Sequence, residues 1–178
     1  MDVIEAIKKR RSIRSFKKKK IPAKILAKIL EAATWAPSSG KLQNWEFILI
    51  RDENAKRKIA EIAFSQSFIE EADVIIVACS NQNKMFRYGE RGEKLYAIQN
   101  VAAAIQNILL AASYFGIGSC WIGAFDSKEL KKFLELPENI MPHAIIPLGY
   151  PNEKPNIPKR IDWEEITFYE KYNKKYIL

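Results

Sequence analysis

A single histidine, two cysteines and seven glycines are spread through 178 residues, and these scarcities exclude much of catalysis before any motif is read. Cys79 and Cys120 stand at no metal-ligand spacing from one another or from His143, so no zinc site and no cysteine–histidine nucleophile pair is expected. Both read as inert thiols in apolar, strand-like surroundings, with a reactive Cys120 as the alternative. No G-x-G-x-x-G follows a strand, and P-loop, H-E-x-x-H and G-x-S-x-G patterns are absent. No side chain stands out as a catalytic acid, base or nucleophile, so an enzyme built on this chain needs a cofactor to carry the chemistry. No uninterrupted apolar run reaches the roughly 18 residues of a membrane span, and the charged N-terminus lacks a signal-peptide core. With 48% hydrophobic residues and no repeat or linker, the chain is expected to form one cytoplasmic domain over 1–178.

The strongest feature present is the helix signal beginning near Lys94. Leu95, Ile98, Val101, Ala102, Ile105, Ile108, Leu109 and Ala112 recur at helical spacing, alanines widen the stripe, and the polar residues between them are uncharged amides such as Asn100. Gly116 is placed to end the helix. After it, Gly118 to Phe125 reads as a short apolar segment in which Gly123 leaves main-chain N–H groups open to a flat ligand. Val74 to Cys79, a β-branched run, predicts a central strand covered on both faces, and Trp45 to Ile50 another strand. His143 to Gly149 predicts a last strand, near an edge or an end because of Pro147. Helices are expected from Asp2, with Val3, Ile4 and Ile7 facing the core; from Pro22 to about Ala36; from Asn54 to Phe64; and after Asp126, whose spacing to Glu129 resembles a capping box. Residues 80–93 read as a mobile loop, and the aromatic tail from Trp163 to Tyr172 is expected to dock on the core or on a partner.

The formal charge of +8 invites an anion or nucleic-acid reading, although no RNA- or DNA-reading motif accompanies it. Much of the charge is local to Lys8 through Lys20. Within that segment Arg10, Arg11, Ser12, Arg14 and Ser15 can form a phosphate cradle or a solvated basic turn. Pro37-Ser38-Ser39-Gly40 is either a ligand-edge loop or a plain turn. Pro151 to Pro158 should run extended and bring Lys159 and Arg160 to a fixed place, where they can complete an anion site.

Taken together, Arg10 to Phe16, Ala36-Pro37-Ser38-Ser39-Gly40 with Gln43 and Trp45, Gly116 to Phe125, and Gly149-Tyr150-Pro151 running to Arg160 resemble the nitroreductase family of FMN-dependent oxidoreductases. The resemblance implies an α+β fold with a mixed sheet flanked by helices, a homodimer with the small-residue helix as its core, and FMN at the subunit interface. It implies Arg10, Arg11, Ser12 and Arg14 on the FMN phosphate, ribityl chain and pyrimidine edge, and Pro37, Ser38 and Ser39 on the flavin of the other subunit. Gln66 would face the pyrimidine ring, the backbone at Ile122 and Gly123 would approach flavin N5 and O4, and Arg160 with Lys159 would finish the phosphate site. The implied reaction passes hydride from NADH or NADPH to an electron-poor small-molecule acceptor, a nitroaromatic or quinone, in ping-pong order. Another flavin reaction, such as dehalogenation or flavin fragmentation, or a non-reductase FMN-binding role, is the alternative reading. Lys41 stands where many relatives have Asn, and Asn44 where Pro is usual; residues 80–93, with Arg87, Tyr88 and Arg91, are the expected specificity element.

Overall fold

The computed structural model describes residues 2–174. Helix α1 (Val3–Lys9) is capped by Asp2, whose carboxylate accepts from the Glu5 amide. Strand β1 (Phe16–Lys17) leads through Pro22 into α2 (Ala23–Thr34). Then come β2 (Trp45–Ile50), α3 (Glu53–Ile62), the single turn α4 (Phe68–Glu71) and β3 (Val74–Asn81). The long helix α6 (Ala97–Tyr114) is preceded by a helical arm that includes the short α5 (Gly89–Arg91). Strand β4 (Gly118–Ser119), α7 (Ser127–Phe133) and β5 (Ile140–Pro151) complete the fold.

The sheet order is β1-β5-β3-β2, with β4 also on β5. Every strand pair is antiparallel, so the parallel component of the expected mixed sheet reduces, among the described residues, to one bridge between Ser12 and Ser119. The β3 run is central, as its β-branched composition demands. Val74, Ile76 and Ala78 pack with α2 and α6 on one face, while Ile75, Val77 and Cys79 pack with α3, α4 and α7 on the other. The alternation of strand side chains thus builds two cores around one sheet.

Strand β5 is internal, contrary to the expectation drawn from Pro147. Ile145 exchanges both its backbone bonds with Ile122, at 3.0 Å each, and amides alternate sides along a strand. The missing N–H of Pro147 therefore faces the stretch where Cys120 and Trp121 leave the ladder, and no bond is lost.

Three further expectations change. Val3, Ile4 and Ile7 on α1 are 71%, 59% and 48% exposed; only Ala6 faces inward, because the short helix touches the fold along one edge of α6. Residues 82–93, expected within a loop over 80–93, are helical: a 3-10 stretch from Gln82 to Tyr88 leads into α5, and a π turn over Gly92–Tyr96 joins α6. The run Gln82–Tyr114 is long and apolar enough to cross a membrane by length and composition. However, Val101, Ala104, Ile105, Ile108, Leu109 and Ala112 are buried against α2 and the sheet within the chain. The end of α6 was legible: Gly116, at φ +70°, lets the Ile117 amide return to Ala112 O at 2.8 Å and its own amide reach Ser113 O at 3.1 Å. The tail begins with one 3-10 turn at Trp163–Glu165, and Ile161, Ile166 and Tyr172 stay exposed rather than entering the core.

Candidate functional site

The basic N-terminal segment is held by its backbone, which leaves its side chains available. The Ile13 amide donates to Ser119 O at 2.9 Å, and Ile13 packs so closely on Gly118 that a Cβ there would lie 2.9 Å from it. Glu153 accepts from the Arg14 amide and, at 3.2 Å, from the Ser15 amide. Glu71 accepts from the Phe16 amide at 2.9 Å and the Ser15 hydroxyl at 3.2 Å. These two carboxylates satisfy main-chain donors, a strong charge-assisted arrangement. No side-chain hydrogen bond or ion pair engages the guanidiniums of Arg10, Arg14 or Arg160 among the described residues. Arg11 differs: its Nη1 folds back onto Lys8 O at 2.6 Å and Arg10 O at 2.7 Å.

Arg10, Arg11, Ser12 and Arg14 line one cavity of about 240 Å³, together with Pro155, Asn156, Pro158 and Arg160. Cations from the two ends of the chain thus meet around a small space, held there by the proline-rich segment whose rings fix φ. Lys159 is exposed and does not line this cavity. A larger groove of about 700 Å³ adjoins it, sharing Arg10 and Arg11 and floored by Ile13, Ile117, Gly118 and Ser119.

Beyond Ser119 the chain passes the buried Cys120. Burial pushes its thiol upward, and the charges of Arg14 and Arg10 with a bond from Ser12 only partly oppose this. Cys79 is pushed up to about 12 by the same cause, so neither thiol is activated as a nucleophile. At Gly123 nothing lies within 4 Å of where a Cβ would stand, so the backbone there is open to a flat ligand. Gln66 reaches this edge, its Nε2 donating to Ala63 O at 2.8 Å and Ala124 O at 3.3 Å.

Pro37, Ser38 and Ser39 sit elsewhere. The Ser39 amide and hydroxyl both donate to Asn100 Oδ1, at 2.9 and 3.2 Å, and Ser38 Oγ accepts from the Gln43 amide at 3.1 Å. Asn100 lies near the start of α6, whereas the arginine-bearing groove reaches its end at Ser113. At 1.5 Å per residue these are about 20 Å apart. One chain therefore brings together Arg10, Arg11, Ser12, Arg14 and Arg160, sets Gln66 beside the Ile122–Gly123 segment, and leaves Pro37, Ser38 and Ser39 at the opposite end of α6. The anchoring residues Glu71, Glu153 and Asn44 carry no local signal that marks them; Asn100 does, as an uncharged amide within an apolar stripe.

The family model described as "Nitroreductase family" matches residues 7–67 and 63–150. The chain belongs to the nitroreductase family. It is 32% identical to a Thermus thermophilus protein named NADH dehydrogenase, with 95% of this chain and 96% of that one covered. A Bacillus subtilis family member named FMN reductase [NAD(P)H] is 29% identical, with 96% of this chain and 74% of that one covered. Among solved structures, the NADPH:FMN oxidoreductase of Vibrio harveyi complexed with NAD+ superposes with a TM-score of 0.89 at 26% identity, covering 97% of this chain and 78% of that one. This nitroreductase-family fold accounts for the antiparallel sheet flanked by helices and for the placement of its glycine-rich segment beside the basic N-terminus.

Proposed function

We propose that this chain is an FMN-dependent NAD(P)H oxidoreductase of the cytoplasm. In this reading it forms a single domain, works as a homodimer, and passes hydride from NADH or NADPH to an electron-poor nitroaromatic or quinone acceptor in ping-pong order. The observation that most supports it is the meeting of Arg10, Arg14 and Arg160 around one small cavity whose lining, among the described residues, includes no acidic side chain. A phosphate monoester carries nearly two negative charges and suits such a set of forked donors. The names of relatives that act on FMN and NAD(P)H agree with it.

The donor set fits the cofactor in kind. Arg10, Arg11, Ser12 and Arg14 would hold the phosphate, ribityl chain and pyrimidine edge, with Arg160 closing the phosphate end and Lys159, outside the cavity, adding only its charge beside it. Gln66 faces the pyrimidine ring, and the uncovered backbone at Ile122 and Gly123 lies against the ring system. When bound, FMN supplies reversible hydride transfer, which no side chain of this protein offers. Pro37, Ser38 and Ser39 serve the site of a second copy, consistent with their place at the far end of α6. The exposed Val3, Ile4 and Ile7 provide apolar surface for the same association. No acid or base is assigned: His143 is half-buried, with its Nε2 against Ser80 Oγ on the sheet, and positioning does the remaining work.

Initial rates with donor and acceptor varied together test the order of the reaction. Parallel double-reciprocal lines are expected; intersecting lines contradict the ping-pong scheme.

A further inference from the structure

The arm over 82–96 is rooted firmly and presents an unusual surface. Met85 is fully buried, the Gln82 amide donates to Asn139 O at 2.8 Å, and a Cβ on Gly92 would stand 2.7 Å from both Met85 O and Tyr88 Cβ. From this root the Tyr88 ring reaches over Gly40, where a Cβ would lie only 2.4 Å from Tyr88 Oη. Tyr96 meets Tyr88 edge to face, with centroids 5.4 Å apart. Arg87 lies 5.5 Å from the Tyr88 centroid, and Arg91 lies 5.4 Å from that of Tyr96. Arg91 Nε also donates to Tyr96 Oη at 2.9 Å. Lys41 follows Gly40 directly, with its own backbone at φ +59°.

Charge balance sets these cations apart from their neighbours. Lys84 lies 3.9 Å from Glu46, and Lys94 is paired with Glu90. Lys41, Arg87 and Arg91 have no acidic partner among the described residues. Two guanidiniums held on tyrosine faces next to the Pro37–Ser39 loop make a surface that is flat, aromatic and positive. A flexible pyrophosphate is typically met by main-chain amides at a helix start, whereas here the Asn83 amide is already taken by Asn81 Oδ1 at 3.1 Å.

Resting on the proposed reductase reading, we infer that Lys41, Arg87 and Arg91, set around Tyr88 and Tyr96, form a subsite for the anionic substituent of a planar aromatic acceptor. The subsite selects acidic nitroaromatics or quinones over neutral ones of similar reducibility. Its charges are exposed, so the preference weakens as salt rises.

The test uses FMN-loaded protein and two acceptors, para-nitrobenzoate and para-nitrobenzamide, each with NADH and with NADPH. In the double variant Arg87→Gln/Arg91→Gln, the benzoate-to-benzamide ratio of kcat/KM falls about tenfold, the scale expected for two exposed cations. Arg87→Lys/Arg91→Lys keeps most of the ratio, and Lys24→Gln on the exposed face of α2, a control for loss of a surface cation elsewhere, leaves it unchanged. An unchanged ratio in the double variant overturns the subsite. So does a loss that falls only on the kcat/KM of NADPH, with that of NADH and the acceptor ratio intact, which would assign the cations to the donor's extra phosphate. A wild type that reduces para-nitrobenzamide, paired with a double variant whose ratio does not fall, overturns the subsite alone; a wild type that FMN cannot reconstitute overturns the reductase reading and the subsite with it.

Discussion

Asn100 Nδ2 donates to Asn44 Oδ1 across 2.7 Å, while the Oδ1 of the same amide accepts both donors of Ser39. One side chain, only 4% exposed, thereby ties α6 to the entry of β2 and to the Ser38–Ser39 loop. Asn44 in turn accepts the Asn81 amide on its backbone oxygen at 2.7 Å. Asn44 thus accepts on its side-chain oxygen and on its backbone oxygen alike. Leucine at position 100 keeps the volume but strands the Ser39 amide and the Asn44 side chain. Asn100→Leu is expected to cost about 2–4 kcal/mol, read as a lower urea midpoint, and to weaken FMN retention as the loop loosens. A loss under about 1 kcal/mol would contradict the tie.

The close fit of the basic segment on the sheet predicts a contrast between two glycines. A methyl on Gly149 would stand 2.7 Å from Phe16 Cδ1, and Phe16 is buried and pinned through its amide to Glu71. Gly149→Ala should cost about 1–3 kcal/mol by overpacking and lower the melting temperature. Gly123 has open space around it, so Gly123→Ala should leave the melting temperature of the FMN-free protein nearly unchanged while weakening FMN binding. Equal melting temperatures for the two variants would refute the packing argument.

If Arg160 closes a phosphate site, its loss should discriminate between FMN and riboflavin. Arg160→Gln removes a charge-assisted contact worth about 1.5–3 kcal/mol, which is about tenfold or more in affinity. FMN binding should weaken by that factor and riboflavin binding by less than about twofold. A parallel loss for both ligands would place Arg160 away from the phosphate.

His143 should make the fold acid-sensitive. Burial holds its imidazole below its ordinary 6.5, and its Nε2 lies 2.7 Å from Ser80 Oγ, which accepts from Gln82 Nε2 at 2.9 Å and is left free to donate to the ring. The unfolded chain binds a proton below pH 6.5 that the folded chain resists. The contribution is therefore fully present above 6.5 and is lost as pH falls, by up to about 1.4 kcal/mol per pH unit. The only histidine gives a single imidazole proton resonance set, and its NMR titration should have a midpoint below 6.5. A midpoint at or above 6.5 contradicts the assignment.

Local chemistry was readable in the sequence, and long-range pairing was not. The caps at Asp2, Asp126 and Gly116 depend on the next few residues, and all three stand where the sequence put them. The Val74–Cys79 run carried its own evidence of burial on two faces. Pro147 misled because its place inside the sheet depends on Cys120 and Trp121 turning away from a strand more than twenty positions later in the chain. Val3, Ile4 and Ile7 misled because periodicity reports an apolar face but not what covers it. The 82–96 arm lacks apolar periodicity, and its helical turns rest on Met85 and Gly92 fitting together. At the candidate site the arginines and serines were visible as types, whereas Glu71, Glu153 and Asn44 act only through partners brought close by folding.

The most direct test of the central claim is the visible absorption spectrum of the protein mixed with FMN and freed of excess, taken without oxygen before and after NADH and then NADPH. Retained flavin bands that bleach on adding at least one of the two nicotinamides are the predicted result. A colourless protein, or flavin bands that neither donor bleaches, would contradict it.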